Sequence, residues 1–350
     1  MGLRTLRVEQ LRCLRSAELQ LAPRLTLIQG PNGSGKTSLL EALFLLGRGR
    51  SFRNRLTERL IQRHTDYLRV YGETVDPVHR IGFEYRREGR YQARIDGQDA
   101  QSLAELPGAL FVEVIDPDIH RLVEEGPSER RRWLDWGVFH VEPQFLTHWL
   151  RYSRALRQRN AALKLGQSPA PWDQALVEEA AQVDAARSAW LDSLLPYWNR
   201  AVEHLTGLPV QLGYSRGWSQ DKSFAQALDD NRARDLERGT THSGPHRADI
   251  SLRLGGVAAR EVLSRGQQKL VAAALVLALL ARLRQDEGRV PTLLLDDPAA
   301  ELDDTRLAGL VTLVRELDCQ VVITSLTPDL TVFGEPERVY GVEGGVVSAR

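Results

Sequence analysis

Apolar and polar residues alternate over the first thirty positions, which is the pattern of half-buried β-strands. The alternation predicts strands over residues 3–8 and 17–21, and an apolar run predicts a third strand over residues 24–28. A glycine-rich turn follows. Apolar residues over 38–46 then predict a helix that stops at Gly47. The chain is therefore predicted to begin with strands, a loop and a helix.

Two different patterns occupy the middle of the chain. Residues 67–98 predict an antiparallel meander, with Phe83 and Tyr85 on one face and a turn at Glu88-Gly89. Apolar residues then recur at helical spacing on both sides of the helix breaker at residues 168–171. This spacing predicts a helical hairpin with arms of about 25 residues, or ~38 Å each at the rise of an α-helix.

Strand patterns return from Thr241 onwards. They predict a strand over residues 250–254, a Gly255-Gly256 turn and a second strand that runs to Glu261. A long apolar helix follows, and residues 292–295 and 320–324 predict strands buried on both faces. The layout is a sheet domain built from residues 1–120 and 236–350, with a helical lobe inserted at 121–235.

Composition adds limits to this picture. The chain has 350 residues, which is too long for one compact core of usual size and predicts two lobes or one domain with a large insertion. Its net charge is zero, so a polyanion has to be met by a local patch. Two cysteines far apart in sequence fit a reducing compartment. We expect a cytoplasmic protein, because no signal pattern is present and the longest apolar run, residues 270–281, is shorter than the ~20 residues that span a bilayer.

A phosphate-binding loop lies between the third predicted strand and the first helix. Eight consecutive residues match the pattern G-x-x-x-x-G-K-[ST]: Gly30, Pro31, Asn32, Gly33, Ser34, Gly35, Lys36 and Thr37. Backbone N–H groups freed by the glycines cradle a β-phosphate, Lys36 reaches the β- and γ-phosphates, and Thr37 offers its hydroxyl to Mg²⁺. The pattern predicts ATP as ligand and Mg²⁺ as cofactor.

Two acids end the buried strand at residues 292–295. A carboxylate pair there is costly unless it meets a cation or polarises a water. We assign Asp296 to Mg²⁺, and Asp297, together with Lys36, to catalysis, with Asp297 orienting and deprotonating the attacking water. The alternative, an acidic turn that caps a helix, is weakened by the phosphate-binding loop in the same chain.

The segment SRGQQK precedes the long apolar helix. With Leu263 before it, the segment resembles the signature Leu-Ser-Gly-Gly-Gln of ABC-type ATPases, in which two heads hold ATP between the P-loop of one and the signature of the other. The resemblance assigns trans contacts with ATP to Ser264, Gly266, Gln267 and Gln268. An ordinary helix N-cap at Ser264 is the alternative. The order of motifs favours the signature, because Asp296-Asp297 is followed by a segment that resembles the family's D-loop, with Glu301 and Asp303.

Within the ABC-type ATPases the chain resembles the RecF family of bacterial recombination and repair. The similarity covers nearly the whole chain, in segments 6–15, 33–42, 49–53, 126–127, 130–131, 134–135, 159–160, 243–249, 264–269 and 296–303. It implies an α/β fold: an ABC-type ATPase head, made of a P-loop sheet domain with an antiparallel subdomain, plus an inserted α-helical lobe. It also implies a weak, DNA-stimulated ATPase that dimerises with ATP, binds DNA at single-strand gaps and in duplex, and works with RecO and RecR to load RecA.

Three positions depart from the wider ABC pattern. Ala300 stands where the D-loop often has Ser, and Asp297 stands where the catalytic residue is usually Glu. No His follows the strand at 320–324, and Ser325 or Thr327 is the available substitute. These departures predict slow hydrolysis, which suits a switch.

Two arginine-rich stretches are candidates for DNA contacts. They contain Arg48, Arg50, Arg53 and Arg55 in the first and Arg151, Arg154 and Arg157 in the second. The second stretch has an alternative use, because the other arm of the hairpin is rich in acids and the two arms could pair with each other.

Two other functions fit the same motifs. One is an ABC-type ATPase that acts as a static ATP-binding scaffold or an SMC-like DNA protein. The other is the ATPase of a membrane transporter, which the helical insertion and the Gly-Pro-His-Arg block at residues 244–247 argue against.

Overall fold

The computed structural model describes residues 2–53, 56–286, 288, 290–326 and 331–350. Within these residues the strands are β1 (Leu3–Leu11), β2 (Leu14–Gln20), β3 (Leu25–Gln29), β4 (Tyr67–Thr74), β5 (Arg80–Arg86), β6 (Tyr91–Ile95), β7 (Gln98–Asp99), β8 (Val112–Ile115), β9 (Gln211–Ser215), β10 (Asp249–Leu254), β11 (Val257–Ala258), β12 (Thr292–Asp296), β13 (Gln320–Ser325), β14 (Arg338–Glu343) and β15 (Val346–Ala349). The helices are α1 (Lys36–Arg48), α2 (Leu106–Ala109), α3 (Arg121–Glu124), α4 (Pro127–Val141), α5 (Phe145–Lys164), α6 (Ala170–Thr206), α7 (Phe224–Asp230), α8 (Arg232–Arg238), α9 (Ala259–Val262), α10 (Arg265–Asp286), α11 (Pro298–Glu301) and α12 (Asp304–Glu316).

The chain divides into two compact units. Unit 1 comprises Met1–Ile119 and Ala273–Arg350, and unit 2 comprises His120–Ala272. The boundary predicted from sequence, residue 235, differs from this division. The difference arises because β10 pairs antiparallel with β9, with Asp249 opposite Ser215, and this pairing joins residues 249–254 to the inserted unit.

A mostly parallel sheet carries the chemistry of unit 1. Its strand order is β15-β14-β3-β13-β12-β8, and only β15 is antiparallel to its neighbour. Every residue of β3, β12 and β13 is buried, as expected for parallel strands covered on both faces. The predicted strands at 292–295 and 320–324 are confirmed. Their carboxyl ends lie side by side with that of β3, because Asp296 pairs with Thr324 and Ser325 with Gln29.

An antiparallel sheet of order β2-β1-β4-β5-β6-β7 forms the other layer of unit 1. The predicted meander is confirmed: β4, β5 and β6 pair in succession, with a turn at Glu88-Gly89. Leu43 of α1 belongs to one buried cluster with Leu6 of β1 and Leu294 of β12. Helix α1 therefore packs against both sheets, which fixes the phosphate-binding loop at its N-terminus.

The predicted end of α1 at Gly47 is wrong, because the helix continues to Arg48. Gly47 lies inside the helix, and Gly49, in the left-handed conformation with φ 63°, is the C-cap. A Cβ atom at Gly47 would lie 2.4 Å from Val112 Cγ1, so close packing against β8 accounts for this glycine. The sequence pattern alone does not distinguish a packing glycine from a capping one.

Unit 2 contains the predicted helical hairpin, made of α5 and α6. The second arm is longer than predicted, with 37 residues, or ~55 Å at the α-helical rise. Pro196 lies inside this helix and does not end it. The predicted second strand to Glu261 is also shorter in the structure, because β11 ends at Ala258 and α9 follows.

Helix α10 is long and apolar. By length and composition α10 could cross a membrane, with a mean hydropathy of 1.4 in its most apolar window. However, 78% of that window is buried inside the fold, as in the core helix of a soluble protein.

A buried ion-pair cluster holds the hairpin of unit 2 to α8. Arg159 of α5 is fully buried, and its guanidinium donates to Asp173 at 2.7 Å, to Asp235 at 2.8 Å and to the Thr241 hydroxyl at 2.7 Å. Asp235 is itself fully buried. Arg159, which lies in the basic stretch found in the sequence, is therefore a core residue.

We predict that Arg159→Ala lowers the free energy of unfolding of unit 2 by about 3–5 kcal/mol, because Asp235 is left as a buried carboxylate without its cation. Tryptophan fluorescence during urea unfolding measures this directly, since all seven tryptophans lie between Trp133 and Trp218. The control is Arg157→Ala, an exposed neighbour on the same helix, which should change the value by no more than about 0.5 kcal/mol. Equal losses in both variants would contradict the assignment.

Candidate functional site

The phosphate-binding loop connects buried β3 to α1. Gly35 is the N-cap residue of α1 and has φ 120°, a conformation that side chains rarely adopt. A Cβ atom at Gly30 would lie 2.2 Å from the Val342 carbonyl oxygen. The loop therefore requires glycine at both ends, and backbone N–H groups are left to face an anion at the start of α1.

The Lys36 side chain lies along this loop. Its ammonium donates to the carbonyl oxygens of Gly30 at 2.7 Å and Pro31 at 3.1 Å. Burial lowers the pKa of Lys36, and the nearby charges of Asp297 and Asp296 oppose that shift. The ammonium thus lies among the loop's own acceptors, within the same cavity as both carboxylates.

Asp296, at the end of β12, connects three elements. The Thr37 hydroxyl of α1 lies 3.0 Å from each of its carboxylate oxygens. The Thr324 hydroxyl of β13 donates to Asp296 Oδ1 at 2.7 Å and accepts the Asp297 backbone N–H at 3.0 Å. Thr37 and Asp296 provide hydroxyl and carboxylate oxygens, the donor set that suits Mg²⁺.

Asp297 has left-handed backbone angles of φ 50° and ψ 53°, which are uncommon outside glycine. Burial raises the pKa of its carboxyl group, the charge of Lys36 lowers it and that of Asp296 raises it further. The two acids therefore have different partners, although both line the cavity: Asp296 is bonded to two threonines, whereas Asp297 lies near the charge of Lys36.

These side chains line a cavity of about 510 Å³ in unit 1. Its volume falls in the range of roughly 300–1,000 Å³ that small-molecule sites occupy. The lining residues are Arg12, Cys13, Asn32, Gly33, Gly35, Lys36, Thr37, Ser38, Arg53, Pro117, Asp296 and Asp297. The structure thus brings together the P-loop and both acids predicted from sequence.

Two arginines in this lining were not assigned to it by the sequence. Arg12, in the β1–β2 turn, pairs with the fully buried Glu41 at 2.7 Å. Ser51 also bonds to Glu41, and its hydroxyl accepts the Arg53 backbone N–H at 3.1 Å. Burial raises the pKa of Glu41, and its hydrogen bonds to Ser51 and Arg12 oppose that shift. Glu41 therefore positions both cationic segments at the mouth of the cavity.

Another depression, of about 600 Å³, lies on the outer face of β4, β5 and β6. Its arginines are already paired, Arg69 with Glu84 at 2.9 Å and Arg94 with Asp99 at 2.8 Å. It has no glycine loop at a helix start, so its larger volume does not make it the better phosphate site.

The signature segment lies in unit 2, at the start of α10. The Ser264 hydroxyl accepts the Gln267 N–H at 3.3 Å, and Gln267 Oε1 accepts the Ser264 N–H at 2.9 Å, which is a capping box. Gln268 donates to the Leu263 carbonyl oxygen at 3.0 Å. Ser264 is thus an N-cap, yet its O–H remains able to donate, and the two glutamines fix the shape of the segment.

The D-loop residues follow the acids. Glu301 ends α11, and the Asp303 carboxylate caps α12 by accepting the Arg306 N–H at 3.0 Å. Ser325, the predicted substitute for the missing histidine, is buried at the end of β13. Thr327, the other substitute, lies outside the described residues. The hydroxyl of β13 that contacts both acids belongs to Thr324, the residue before Ser325. The pairing of β13 with β12 could have revealed it.

The arginines predicted to contact DNA lie in different environments. Arg48 is not available, because its side chain is buried in an ion pair with Glu113. Arg53 lines the P-loop cavity, Arg50 is exposed, and Arg55 lies outside the described residues. Arg151, Arg154 and Arg157 lie on the exposed face of α5.

Pairing between the hairpin arms is partial. Arg151 lies 3.7 Å from Glu179 of α6, whereas Arg154 and Arg157 form no ion pair with any described residue.

Comparisons with known proteins agree with this geometry. A family model described as "RecF/RecN/SMC N terminal domain" matches residues 2–346. The "DNA replication and repair protein RecF" of Pseudomonas putida (strain GB-1) is 41% identical over 360 residues, covering 99% of this chain and 98% of its own length. The protein of the same name from Pseudomonas aeruginosa (strain LESB58) is 39% identical with the same coverage.

Solved structures give the same result for the fold. A structure described as the recombination mediator protein RecF-ATP in the RecFOR pathway matches with a TM-score of 0.90 at 26% identity, over 99% of this chain and 97% of that one. An SMC head bound to the C-winged helix domain of ScpA matches with a TM-score of 0.60 at 17% identity, which shows a shared fold.

We predict that Thr324→Val slows ATP hydrolysis at least about tenfold, because a hydrogen bond to a carboxylate is lost and the Asp297 N–H loses its acceptor. ATP affinity should change little, since Lys36 and the loop are untouched. Single-turnover phosphate release measures the rate.

The matched control for this prediction is Thr26→Val. Thr26 is a buried threonine near the start of the adjacent strand β3, away from the acids. If Thr324→Val hydrolysed ATP as fast as that control, the role given to Thr324 would be wrong.

Proposed function

Because the chain belongs to the RecF family of DNA replication and repair proteins, we propose that it is an ATPase that binds DNA, acts in recombinational repair, and pairs with a second copy of itself when ATP is bound. The observation that carries this proposal is the convergence of a complete P-loop with Asp296 and Asp297 in one cavity. The cavity offers N–H groups and Lys36 to phosphates and a carboxylate to an attacking water.

The residues suggest how hydrolysis proceeds. Asp297 orients a water toward the γ-phosphate and accepts its proton as the new P–O bond forms and the bond to the β-phosphate oxygen breaks. Lys36 turns from the loop carbonyls to the phosphates and stabilises their charge. Thr37 and Asp296 would hold Mg²⁺, which supplies positive charge to the phosphate oxygens when bound. An aspartate base, one methylene shorter than glutamate, supports slow turnover.

The second half of the site comes from the partner copy. Ser264 and Gly266 present a hydroxyl and N–H groups at the exposed start of α10, a receptor suited to a γ-phosphate. Gln267 and Gln268 support this receptor through the contacts described above. ATP would then join the P-loop of one copy to α10 of the other. Glu301 and Asp303, which come shortly after the two acids in the chain, are proposed to lie at the same interface.

DNA is the proposed partner of the α5 surface. Its exposed face carries Arg154, Arg157 and Lys164, and Lys164 abuts Gly239 at the end of α8, where Arg234 and Arg238 are also exposed. Cations without carboxylate partners along one helix suit the phosphates of a nucleic acid. Arg50, in unit 1, is a further exposed cation.

Similarity to structures described as recombination mediator proteins of the RecFOR pathway supports a role with recombination mediators. We propose RecR and RecO as partners, and RecA loading at single-strand gaps, in the cytoplasm and away from membranes. DNA-stimulated, weak ATPase activity is part of the same proposal.

The trans site predicts that Ser264→Arg abolishes ATP-dependent dimerisation while the monomer binds ATP normally. Light scattering and nucleotide titration measure the two properties. Lys36→Ala should lose both, because it removes the phosphate contact in cis.

Unit 2 offers a matched control for Ser264→Arg. Ser223 forms the same kind of capping box with Gln226 at the start of α7, so Ser223→Arg disturbs an equivalent cap outside the signature. Dimerisation that survives Ser264→Arg, or is lost equally in Ser223→Arg, would contradict the trans site.

For the DNA surface, Arg154→Glu/Arg157→Glu should weaken duplex binding and reduce the slope of log affinity against log salt by about one per lost contact. DNA-stimulated phosphate release should fall in parallel, with basal release unchanged. Arg86→Glu/Arg90→Glu, the same charge change on the exposed β5–β6 hairpin, is the control. An unchanged salt slope in the α5 variant would exclude this surface.

A further inference from the structure

The turn at residues 244–247, the Gly-Pro-His-Arg block, leaves one side chain exposed. Gly244 and Pro245 are buried and His246 is half-buried, whereas Arg247 is exposed. The Arg247 guanidinium lies 3.4 Å from the Thr241 carbonyl oxygen, and no carboxylate among the described residues pairs with it. The turn thus presents a cation whose charge the fold does not neutralise.

Buried groups fix this turn in place. His246 is bonded through both ring nitrogens, Nε2 to the Thr241 carbonyl oxygen at 3.0 Å and Nδ1 to the Tyr152 hydroxyl at 2.6 Å. A carbonyl oxygen only accepts, so Nε2 carries the proton. Burial lowers the pKa of His246 to about 4, so the ring is neutral at neutral pH and Nδ1 accepts the Tyr152 O–H. The fully buried Arg187 donates to the Pro245 carbonyl oxygen at 2.7 Å. The turn is therefore rigid, as in binding loops that a scaffold positions.

A second arginine lies beside this turn. Arg131 of α4 donates to the carbonyl oxygen of Ala248, the residue directly after Arg247, at 2.7 Å. Burial lowers the pKa of Arg131, the charge of Asp249 opposes that shift, and the charge of Arg247 adds to it. The two guanidinium groups are therefore close enough to repel each other.

The carboxylates whose charges reach Arg131 have other partners. Asp249 is bonded to Arg130 through both of its oxygens, at 2.8 and 3.0 Å. Asp135 is bonded to Arg187 at 2.7 Å. Each of these acids neutralises a different arginine, so the positive charges of Arg131 and of the turn remain in excess. Such an excess attracts an anion.

We propose that Arg131 and Arg247 bind a phosphate group of a nucleic-acid backbone. Tyr152, which fixes His246, is the positioning residue of this site. The inference rests on the proposed DNA binding and deepens it, because it adds a contact that does not use the exposed arginines of α5. Guanidinium groups donate paired hydrogen bonds to phosphate oxygens, which suits them to this ligand.

A nucleic acid fits this place better than an acidic protein segment does. Protein interfaces have an apolar core. The large apolar side chains that are exposed in the described part of unit 2 are Leu150, Leu165, Leu236, Val257 and Val262. None of these belongs to α4 or to residues 241–249. Nucleic-acid interfaces are polar and positively charged, as this surface is.

The test measures binding of the full chain to a short fluorescein-labelled duplex and to the corresponding single strand, by fluorescence anisotropy at several salt concentrations. Arg247→Ala should weaken binding about tenfold. It should also reduce the slope of log affinity against log salt, by about 0.9 for the duplex or about 0.7 for the single strand. Arg247→Lys should recover part of the affinity, because it restores the charge without the guanidinium fork. A loss with either DNA supports the site and identifies its ligand, whereas unchanged affinity and slope with both would overturn it.

A matched pair on α4 controls for the loss of charge. Arg131→Ala should resemble Arg247→Ala. Arg132→Ala should bind like the wild type, because Glu129 already pairs with Arg132 at 3.0 Å. Equal losses in the two α4 variants would show a general effect of charge and would contradict the site.

Tyr152→Phe tests the positioning. It removes the hydroxyl that fixes His246 and leaves every charge in place, so DNA binding should weaken through geometry alone. In the Arg247→Ala background the same change should cause no further loss, since it acts through the arginine. An equal loss in both backgrounds would give Tyr152 a separate structural role and overturn its part in the proposal.

The outcomes separate this inference from the proposed function. If Arg154→Glu/Arg157→Glu loses DNA binding while Arg247→Ala binds normally, the phosphate contact is wrong and the proposed DNA binding stands. If the wild type binds neither DNA, the proposed function itself fails. If Arg247→Ala binds DNA normally but no longer binds polyglutamate, the site takes an acidic protein and the nucleic acid is wrong.

Discussion

The candidate nucleotide site depends on the hydrogen bonds that one buried carboxylate, that of Asp296, accepts. It accepts hydrogen bonds from Thr37 at the start of α1 and from Thr324 at the end of β13, while its own strand lies next to β13 in the parallel sheet. These hydrogen bonds hold α1, which follows the phosphate-binding loop, to β12, which carries the acids. They also hold β12 to its neighbour β13. Because the same Thr324 hydroxyl accepts the Asp297 N–H, the backbone that presents the Asp297 carboxylate to the cavity is fixed as well.

This arrangement explains why Asp297 has an uncommon backbone conformation. The chain has to leave a fully buried strand, present one carboxylate to the threonines and the next to the cavity, and enter α11 within a few residues. Left-handed angles at Asp297 make that turn possible, and the hydrogen bond to Thr324 compensates part of the strain. The strain lies at the residue that we propose as the catalytic base, and backbone strain commonly occurs at functional sites.

Local motifs and periodicity predicted much of this structure. The P-loop, the meander and the two buried strands depend on residues close in sequence, so the pattern alone was sufficient. The burial of the Arg48 side chain was not predictable, because it depends on an ion pair with Glu113, which is distant in sequence. The positions of Arg12 and Arg53 depend on Glu41, which pairs with Arg12 directly and holds the Arg53 backbone through Ser51. The length of α6 was also not predictable from its proline, because a proline favours a helix boundary without requiring one, and α6 continues through Pro196.

We propose that the γ-phosphate of ATP joins two copies of the chain. The most direct measurement is the molar mass of the wild-type chain by light scattering over a series of protein concentrations, with a non-hydrolysable ATP analogue or with ADP. We expect twice the monomer mass with the analogue, two bound nucleotides per dimer, and the monomer mass with ADP. A monomer at every concentration in both nucleotides, or dimers that form equally well with ADP, would contradict it.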